Sequence, residues 1–188
     1  IYDVHENTYN AIQIRTSLPK HLRKVLGKLT HCIELIGQWC FDGIILAEDS
    51  YVRNFSNNEN VAIVRNYVRI GPEPLTLNKG SKRILYTGAI TLARGLGDFL
   101  EALSLLQAED KNISATIVGQ LDTKDIDKLH ELKSNLSNPE NVEILSHVDF
   151  SELKYFANKC ELAVVPLRDV KNYLYSVPTK ILDYMNWG

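Results

Sequence analysis

The chain has 188 residues, 45% hydrophobic and 23% charged, a composition typical of a globular protein with one or two domains. Its formal net charge of -2 at pH 7 gives no general attraction for nucleic acid, so we expect no nucleic-acid partner. No apolar run is long enough to span a bilayer and no signal peptide is present, although the second absence carries little weight. We expect a cytoplasmic location.

The first seventy residues alternate between strand and helix patterns. IYDVHE at 1–6, DGIILAED at 42–49 and VAIVRNY at 61–67 predict short strands, the second of them buried and parallel. SYVRNF at 50–55 predicts a short helix with Ser50 as its cap. The longer helix starts after Leu18, where apolar residues recur at helical spacing at Leu22, Val25, Leu26, Leu29 and Ile33.

A segment rich in proline and glycine, IGPEPLTLNKGSK at 70–82, then interrupts the pattern. We therefore expect a first domain at 1–70, a linker at 71–81 and a second domain at 82–188.

The second domain alternates four strands with four helices. The strand patterns are RILYTG, ISATIVG, NVEILSHV and ELAVVPL, and the helix patterns are GDFLEALSLLQ, DTKDIDKLHELKSNL, DFSELKYFANK and VPTKILDYMNW. The first of these helices should turn Phe99, Leu100, Leu103 and Leu106 inward, and Asp122 should cap the second.

Such alternation predicts an α/β protein with two Rossmann-like halves, each a parallel sheet covered by helices. Ligands bind such sheets at the carboxyl ends of the strands. We therefore expect the functional loops after His5, Gly88, Gly119, Leu145 and Pro166. Three cysteines, Cys32, Cys40 and Cys160, lack the spacing of a zinc site, and no metal is expected.

Two segments at these ends have the residues to bind an anion. In YTGAITLARG at 86–95, Gly88 would let a ligand approach the backbone and Arg94 would bind a phosphate; the alternative is an ordinary turn with a solvated arginine. In SVPTKILDYM at 176–185, a helix N-terminus offers N–H groups and Asp183 could accept hydrogen bonds from hydroxyls. The alternative there is a surface pair of Lys180 with Asp183.

Two weaker candidates lie elsewhere. His5 ends a strand, where a catalytic or hydroxyl-binding group would sit, although a lone histidine is more often structural. Lys20, Arg23, Lys24 and Lys28 follow one arc of the long helix and could meet anionic lipid headgroups at the inner membrane face, or be a solvated surface.

Together the segments resemble a known family. RILYTGAITLARGLGDFLEAL is similar to the opening of the C-terminal domain in retaining glycosyltransferases of the GT-B fold, of the type called glycosyl transferases group 1 or family four. VPTKILDYMNWG resembles that family's motif "P-x-K-(L/I)-x-E-Y-M-x-x-G", and YDVHE, DGIILAEDSYV and VAIVRNY resemble the second half of its N-terminal domain.

The resemblance implies a metal-independent enzyme without a cofactor, which moves a sugar from a nucleotide-diphosphate sugar to a glycan or lipid-linked acceptor with retention. It assigns the diphosphate to Arg94 and to the turn Ser176–Val177–Pro178, the ribose to Asp183, and the base to the loop at His147 and Val148. Gly88 and Lys180 join this donor site, and His5 lies near the transferred sugar.

The chain departs from the family's pattern at two positions. Ala89 replaces a second basic residue and Tyr175 replaces an acidic one, which leaves open a nucleotide-sugar-binding protein without activity. A nucleotide-sugar epimerase is the third alternative. Since the chain starts at Ile1 and reaches Gly188 just past a helix, we expect it to be the middle of a larger transferase and inactive alone.

Overall fold

A computed structural model describes residues 1–15, 17–68, 78–170, 173–174 and 176–187. The chain divides into one unit of Ile1–Tyr67 with Asp169–Val177 and another of Val68–Arg168 with Pro178–Gly188. Most of the predicted linker lies outside the described residues, so the predicted domain boundaries stay predictions.

The first unit contains a three-stranded parallel sheet. Its strands β1 (Tyr2–Val4), β2 (Ile44–Leu46) and β3 (Val61–Ile63) lie in the order β1-β2-β3. Two helices accompany it, α1 (Thr8–Gln13), which the sequence patterns did not predict, and α2 (Lys20–Cys40). The predicted SYVRNF helix is a 3₁₀ turn at Asp49–Asn54 with Glu48 in the cap position, so Ser50 is not its cap.

The apolar residues whose spacing predicted α2 form a helix as expected, but they are largely exposed. Only Leu26 of the five residues is partly buried, whereas Leu22, Val25, Leu29 and Ile33 face solvent. The helix instead packs through Gly27, which admits Tyr9 and Gln13 of α1. Gln38 fixes its other end, because its amide donates to the Asn54 carbonyl (2.9 Å) and accepts from the Asn57 N–H (3.2 Å).

The second unit confirms the predicted α/β class. Its parallel sheet has the order β6-β5-β4-β7, with β4 (Arg83–Thr87), β5 (Ser114–Val118), β6 (Val142–Leu145) and β7 (Leu162–Ala163). The helices are α3 (Leu96–Glu109), α4 (Ile126–Ser134), α5 (Phe150–Ala157) and α6 (Thr179–Trp187). Every residue of β5 is buried, as expected for an inner parallel strand.

The packing of α3 differs from the prediction at one position. Phe99, Leu100 and Leu103 are buried as predicted, but Leu106 is 40% exposed and Gln107 is fully buried beside it. The buried arc therefore ends on a polar residue. The sequence predicted that Asp122 caps α4. In the structure Asp122 caps the 3₁₀ turn Thr123–Asp125 that directly precedes α4, because its carboxylate accepts from the Lys124 N–H.

The Gln107 side chain joins three segments of the second unit. Its Nε2 donates to the carbonyls of Ile113 (3.1 Å) and Asn138 (3.2 Å), and its Oε1 accepts from the Asn138 N–H (3.1 Å). A buried amide with all these partners adds little net energy, but removing it leaves the partners unsatisfied.

We predict that Gln107→Leu lowers the free energy of unfolding by roughly 1–3 kcal/mol, since two carbonyls and one N–H lose their buried partner. Chemical denaturation of the full chain measures this. Leu105→Gln is the matched control at a position that is 73% exposed, and it should change stability by less than about 0.5 kcal/mol. An equal loss in both variants would contradict a role for the buried amide.

Candidate functional site

The carboxyl ends of three strands of the second unit meet at one edge of its sheet. Thr87 of β4 pairs with Val118 of β5, and Val118 with Leu145 of β6, so the three strands end level. Strands that follow β4 in sequence lie on both sides of it, β5 on one side and β7 on the other, so the direction in which strands are added to the sheet reverses at β4. This reversal is where open parallel sheets place their ligands.

A cavity of about 560 Å³ opens at this edge. Most of its lining surface is apolar, and the lining residues are Ile90, Gly119, Gln120, Leu121, Ile144, Leu145, Ser146 and His147. Its size and its mostly apolar wall with a few polar groups are typical of a small-molecule pocket. The sequence predicted functional loops after Gly119 and Leu145, where Gln120, Ser146 and His147 lie, but of these three residues it assigned a ligand contact only to His147.

Two glycines touch beside this cavity. Gly88 donates its N–H to Val118 (2.9 Å), and a Cβ on Gly119 would overlap the carbonyl of Gly88. Gly88 itself has a φ of 111°, which side-chain-bearing residues rarely adopt. Both positions therefore require glycine: the Gly88 carbonyl fills the space beside Gly119, and Lys180 Nζ fills the space beside Gly88.

Helix α6 is attached to the end of β4 by two side chains. Lys180 Nζ donates to the Thr87 carbonyl at 2.7 Å. The Tyr184 hydroxyl accepts from the Thr87 N–H at 2.9 Å and lies 2.8 Å from Thr87 Oγ1. Together they fix the N-terminal half of α6 next to Gly88. Nothing in the sequence pattern marked Tyr184 for this role.

Two basic side chains, Lys180 and Arg94, lie near the end of β4. Burial, with the nearby Arg94 charge, lowers the pKa of Lys180 to about 8. Arg94 is exposed at the end of a 3₁₀ turn, and neither cation forms an ion pair within the described residues. Burial also raises the pKa of Asp183, whose carboxylate makes no ion pair with Lys180. The surface pair considered from the sequence is therefore absent.

The structure places the remaining predicted residues as follows. Pro178 precedes α6 in the second unit, whereas Ser176 and Val177 fall in the first unit. Val148 packs against the buried cluster that contains Trp187. His5 lies in the first unit, exposed after β1, with Nε2 3.0 Å from Asp3 Oδ2. Tyr175 lies outside the described residues.

The first unit contributes a separate, polar cavity of about 400 Å³. It is lined by Asn7, Tyr9, Asn10, His31, Glu34 and Asn54. Amide, phenol and carboxylate groups together can exchange hydrogen bonds with a ligand rich in hydroxyls.

No group of three His, Cys, Asp or Glu in the described part of the chain is arranged to hold a metal ion, and the expected metal independence stays a prediction.

The predicted basic face of α2 is narrower than expected. Arg23 donates from Nε to the Leu18 carbonyl (2.6 Å) and from Nη1 to the Gln13 carbonyl (3.2 Å), so it joins α1 to α2. Lys20, Lys24 and Lys28 are exposed, and their contact with lipid stays a prediction. Within the described ranges, no helix has the length and apolarity needed to cross a membrane.

Comparison with known proteins identifies similar sequences and folds. The family model for glycosyl transferases group 1 matches residues 70–188. Among solved structures, Anabaena HepE with UDP and glucose matches with a TM-score of 0.66 and 12% identity, over 98% of this chain and 50% of its own. No curated protein matches the chain.

Two further solved structures show the same fold, again with low sequence identity. A mutant of S. aureus TarM with UDP, fondaparinux and alpha-GlcNAc-glycerol has a TM-score of 0.54 and 17% identity, over 65% of this chain and 24% of its own. The pneumococcal O-GlcNAc transferase GtfA with UDP and GlcNAc has a TM-score of 0.54 and 13% identity, over 78% of this chain and 28% of its own. The chain thus spans half or less of each of the three.

We predict that Gly119→Ala destabilises the second unit by roughly 1–3 kcal/mol or more, because its methyl group would overlap the Gly88 carbonyl. Thermal unfolding of the full chain measures the loss. Gly97→Ala is the matched control, since its methyl group would meet only ordinary contacts at 3.5 Å or more inside α3. Gly97→Ala should leave stability unchanged or raise it slightly. A similar loss of stability in both variants would contradict the overlap at Gly119.

Proposed function

Because the chain belongs to the glycosyl transferases group 1 family, we propose that it forms part of a retaining, metal-independent glycosyltransferase. The donor is a nucleotide-diphosphate sugar bound by the second unit. The acceptor is a glycan or a lipid-linked sugar bound on the side of the first unit.

Chief support comes from the pair of cations at the end of β4. Lys180 and Arg94 lie close enough for the arginine to lower the pKa of the lysine, and no carboxylate of the described chain pairs with either. A diphosphate would supply the missing negative charge beside these two cations. Arg94 offers a planar fork suited to phosphate oxygens, and Lys180 offers a point charge.

The adjoining cavity suits the nucleoside part of the donor. Aliphatic side chains such as Leu121 and Leu145 could pack against the base, and the His147–Val148 loop could contact its edge. Asp183 could accept from the ribose hydroxyls, because it is a half-buried carboxylate that forms no ion pair with the described residues. HepE, TarM and GtfA were each solved with UDP, so UDP is the first nucleotide to test.

In the proposed reaction the bond between the anomeric carbon and the diphosphate oxygen breaks while an acceptor hydroxyl bonds to the same face of the sugar. The acceptor's proton passes to the leaving diphosphate. The two cations stabilise the negative charge that develops on that group, so they act most strongly when the bond is breaking. His5 would contact the transferred sugar, and no covalent intermediate forms.

The binding of nucleotides by the full chain tests this proposal. We expect calorimetric titration to show binding of one of UDP, GDP and ADP, with its nucleoside at least tenfold weaker and with no change when magnesium is added. Failure of all three diphosphates to bind would contradict the donor site. Binding without sugar transfer by a longer form of the protein would instead favour a non-catalytic nucleotide-sugar-binding protein, and an epimerised donor would favour an epimerase.

We further predict that Arg94→Ala weakens binding of the diphosphate by about tenfold or more, since a charge-assisted hydrogen bond contributes roughly 1.5–3 kcal/mol. Binding of the nucleoside should change much less. The same titrations measure both. Arg53→Ala removes an exposed arginine of the first unit and should leave both affinities unchanged; equal losses for diphosphate and nucleoside in Arg94→Ala would show that Arg94 does not touch the phosphates.

A further inference from the structure

The turn that carries Arg94 is held by an acidic side chain from another loop. The N–H of Leu92, the first residue of the 3₁₀ turn Leu92–Arg94, donates to Asp125 Oδ2 at 2.8 Å. Thr91 occupies the cap position of that turn, but its side chain accepts no capping hydrogen bond. The acceptor that a cap would supply therefore comes from a residue 33 positions away in the chain.

Asp125 makes this bond in place of a local one. It occupies the cap position of α4, where an aspartate usually accepts from an N–H of its own helix, yet its side chain makes no such bond. Its own N–H donates to the Asp122 carbonyl at 3.0 Å, which fixes its backbone in the turn Thr123–Asp125. Helix α4 thus begins without a side-chain cap, and the loop after β4 gains one.

Backbone hydrogen bonds join the same two loops closer to the sheet. The Ile90 N–H donates to the Gln120 carbonyl at 2.8 Å, and the Asp122 N–H donates to the Ile90 carbonyl at 3.2 Å. Ile90 and Gln120 line the cavity of about 560 Å³, so these bonds lie in its wall. The bond from Asp125 extends the connection from this wall to the turn that carries Arg94.

The position of Arg94 depends on its backbone. Its side chain is exposed and makes no ion pair or hydrogen bond within the described residues. The far end of its turn is fixed at Gly95, which has a φ of 85° and lies so close to Pro166 that a Cβ would be 3.2 Å from the Pro166 carbonyl oxygen. The near end is fixed by Asp125, so two contacts at the ends of the turn place the guanidinium.

We propose that Asp125 is a positioning residue of the donor site: by accepting from the Leu92 N–H, it holds the turn in the place where Arg94 meets the diphosphate. This inference rests on the proposed function. It goes beyond that function because it names a residue that touches neither phosphate nor nucleoside and still sets the affinity for the diphosphate.

The charge of Asp125 allows positioning to be distinguished from electrostatics. A carboxylate near an anion site repels the anion, so by charge alone the removal of Asp125 would strengthen binding of a diphosphate. Positioning predicts the opposite for Asp125→Ala, because the Leu92 N–H loses its acceptor. Asp125→Asn removes the charge and keeps an acceptor oxygen at the same distance from the backbone. Affinity for the diphosphate should therefore fall in the alanine variant and not in the asparagine variant.

Calorimetric titration of the full chain with UDP and uridine measures this effect, with GDP and ADP as further probes if UDP does not bind. We expect Asp125→Ala to weaken UDP binding by about threefold to tenfold, the range that one hydrogen bond contributes, and uridine binding by less than about twofold. Asp125→Asn should bind UDP at least as tightly as the unmodified chain. Asp127→Ala is the matched control, because Asp127 is an exposed aspartate in the first turn of α4, and it should not weaken UDP binding.

A double variant tests whether Asp125 acts through Arg94. In the Arg94→Ala background, Asp125→Ala should cause no further loss of UDP affinity, since the side chain that it positions is absent. If Asp125→Ala does not fold, Asp125→Ser takes its place. Serine is also a good capping residue for α4, but its oxygen lies one bond nearer the backbone and falls short of the Leu92 N–H.

The outcomes separate this inference from the proposed function. An equal loss of UDP and uridine binding in Asp125→Ala would show that the bond only maintains the fold, and an equal loss of UDP binding in the alanine and asparagine variants would show that the acceptor is not what matters. Either result overturns the positioning role, as does an undiminished effect of Asp125→Ala in the Arg94→Ala background. If Arg94→Ala weakens UDP binding and Asp125→Ala does not, this inference fails and the proposed function stands. Absence of binding by UDP, GDP and ADP overturns both.

Discussion

The second unit depends on a backbone contact at one edge of its sheet, where Gly119 touches the carbonyl of Gly88. A side chain on Gly119 would overlap that carbonyl, and a side chain on Gly88 would meet Lys180 Nζ, so neither residue can carry one. Charged side chains at this edge must therefore come from other segments. Arg94 arrives from a turn and Lys180 from α6, while the cavity opens on the β5 and β6 side.

The electrostatics of this edge connect stability with function. Placing a partly buried ammonium near a guanidinium is unfavourable in the folded chain, because burial removes water from the ammonium and no carboxylate of the described residues forms an ion pair with either cation. A site can accept such a cost when a ligand removes it on binding. The same two charges that weaken the unliganded fold would thus give selectivity for a diphosphate over a neutral nucleoside, and they lie where the strand order reverses.

Local patterns predicted much of the second unit. Buried parallel strands are short apolar runs bounded by turns, so RILYTG and ISATIVG were visible, and the rule that ligands bind at strand ends pointed to Gly88. Patterns show which face of a helix is apolar but not what covers it, so the exposed stripe of α2 and the buried Gln107 were missed. The bond from Tyr184 to Thr87 joins residues 97 apart, which no local pattern encodes.

The attachment of α6 to β4 also sets an order of events during synthesis. Strand β4 leaves the ribosome more than ninety residues before Lys180 and Tyr184, the two side chains that fix its end. The sheet can pair beforehand, but the end of β4 stays unattached until the last described helix docks. Such distant contacts close slowly. A chain halted before α6 would therefore have most of the sheet but an unattached end of β4, and we expect it to be more sensitive to proteolysis than the longer chain.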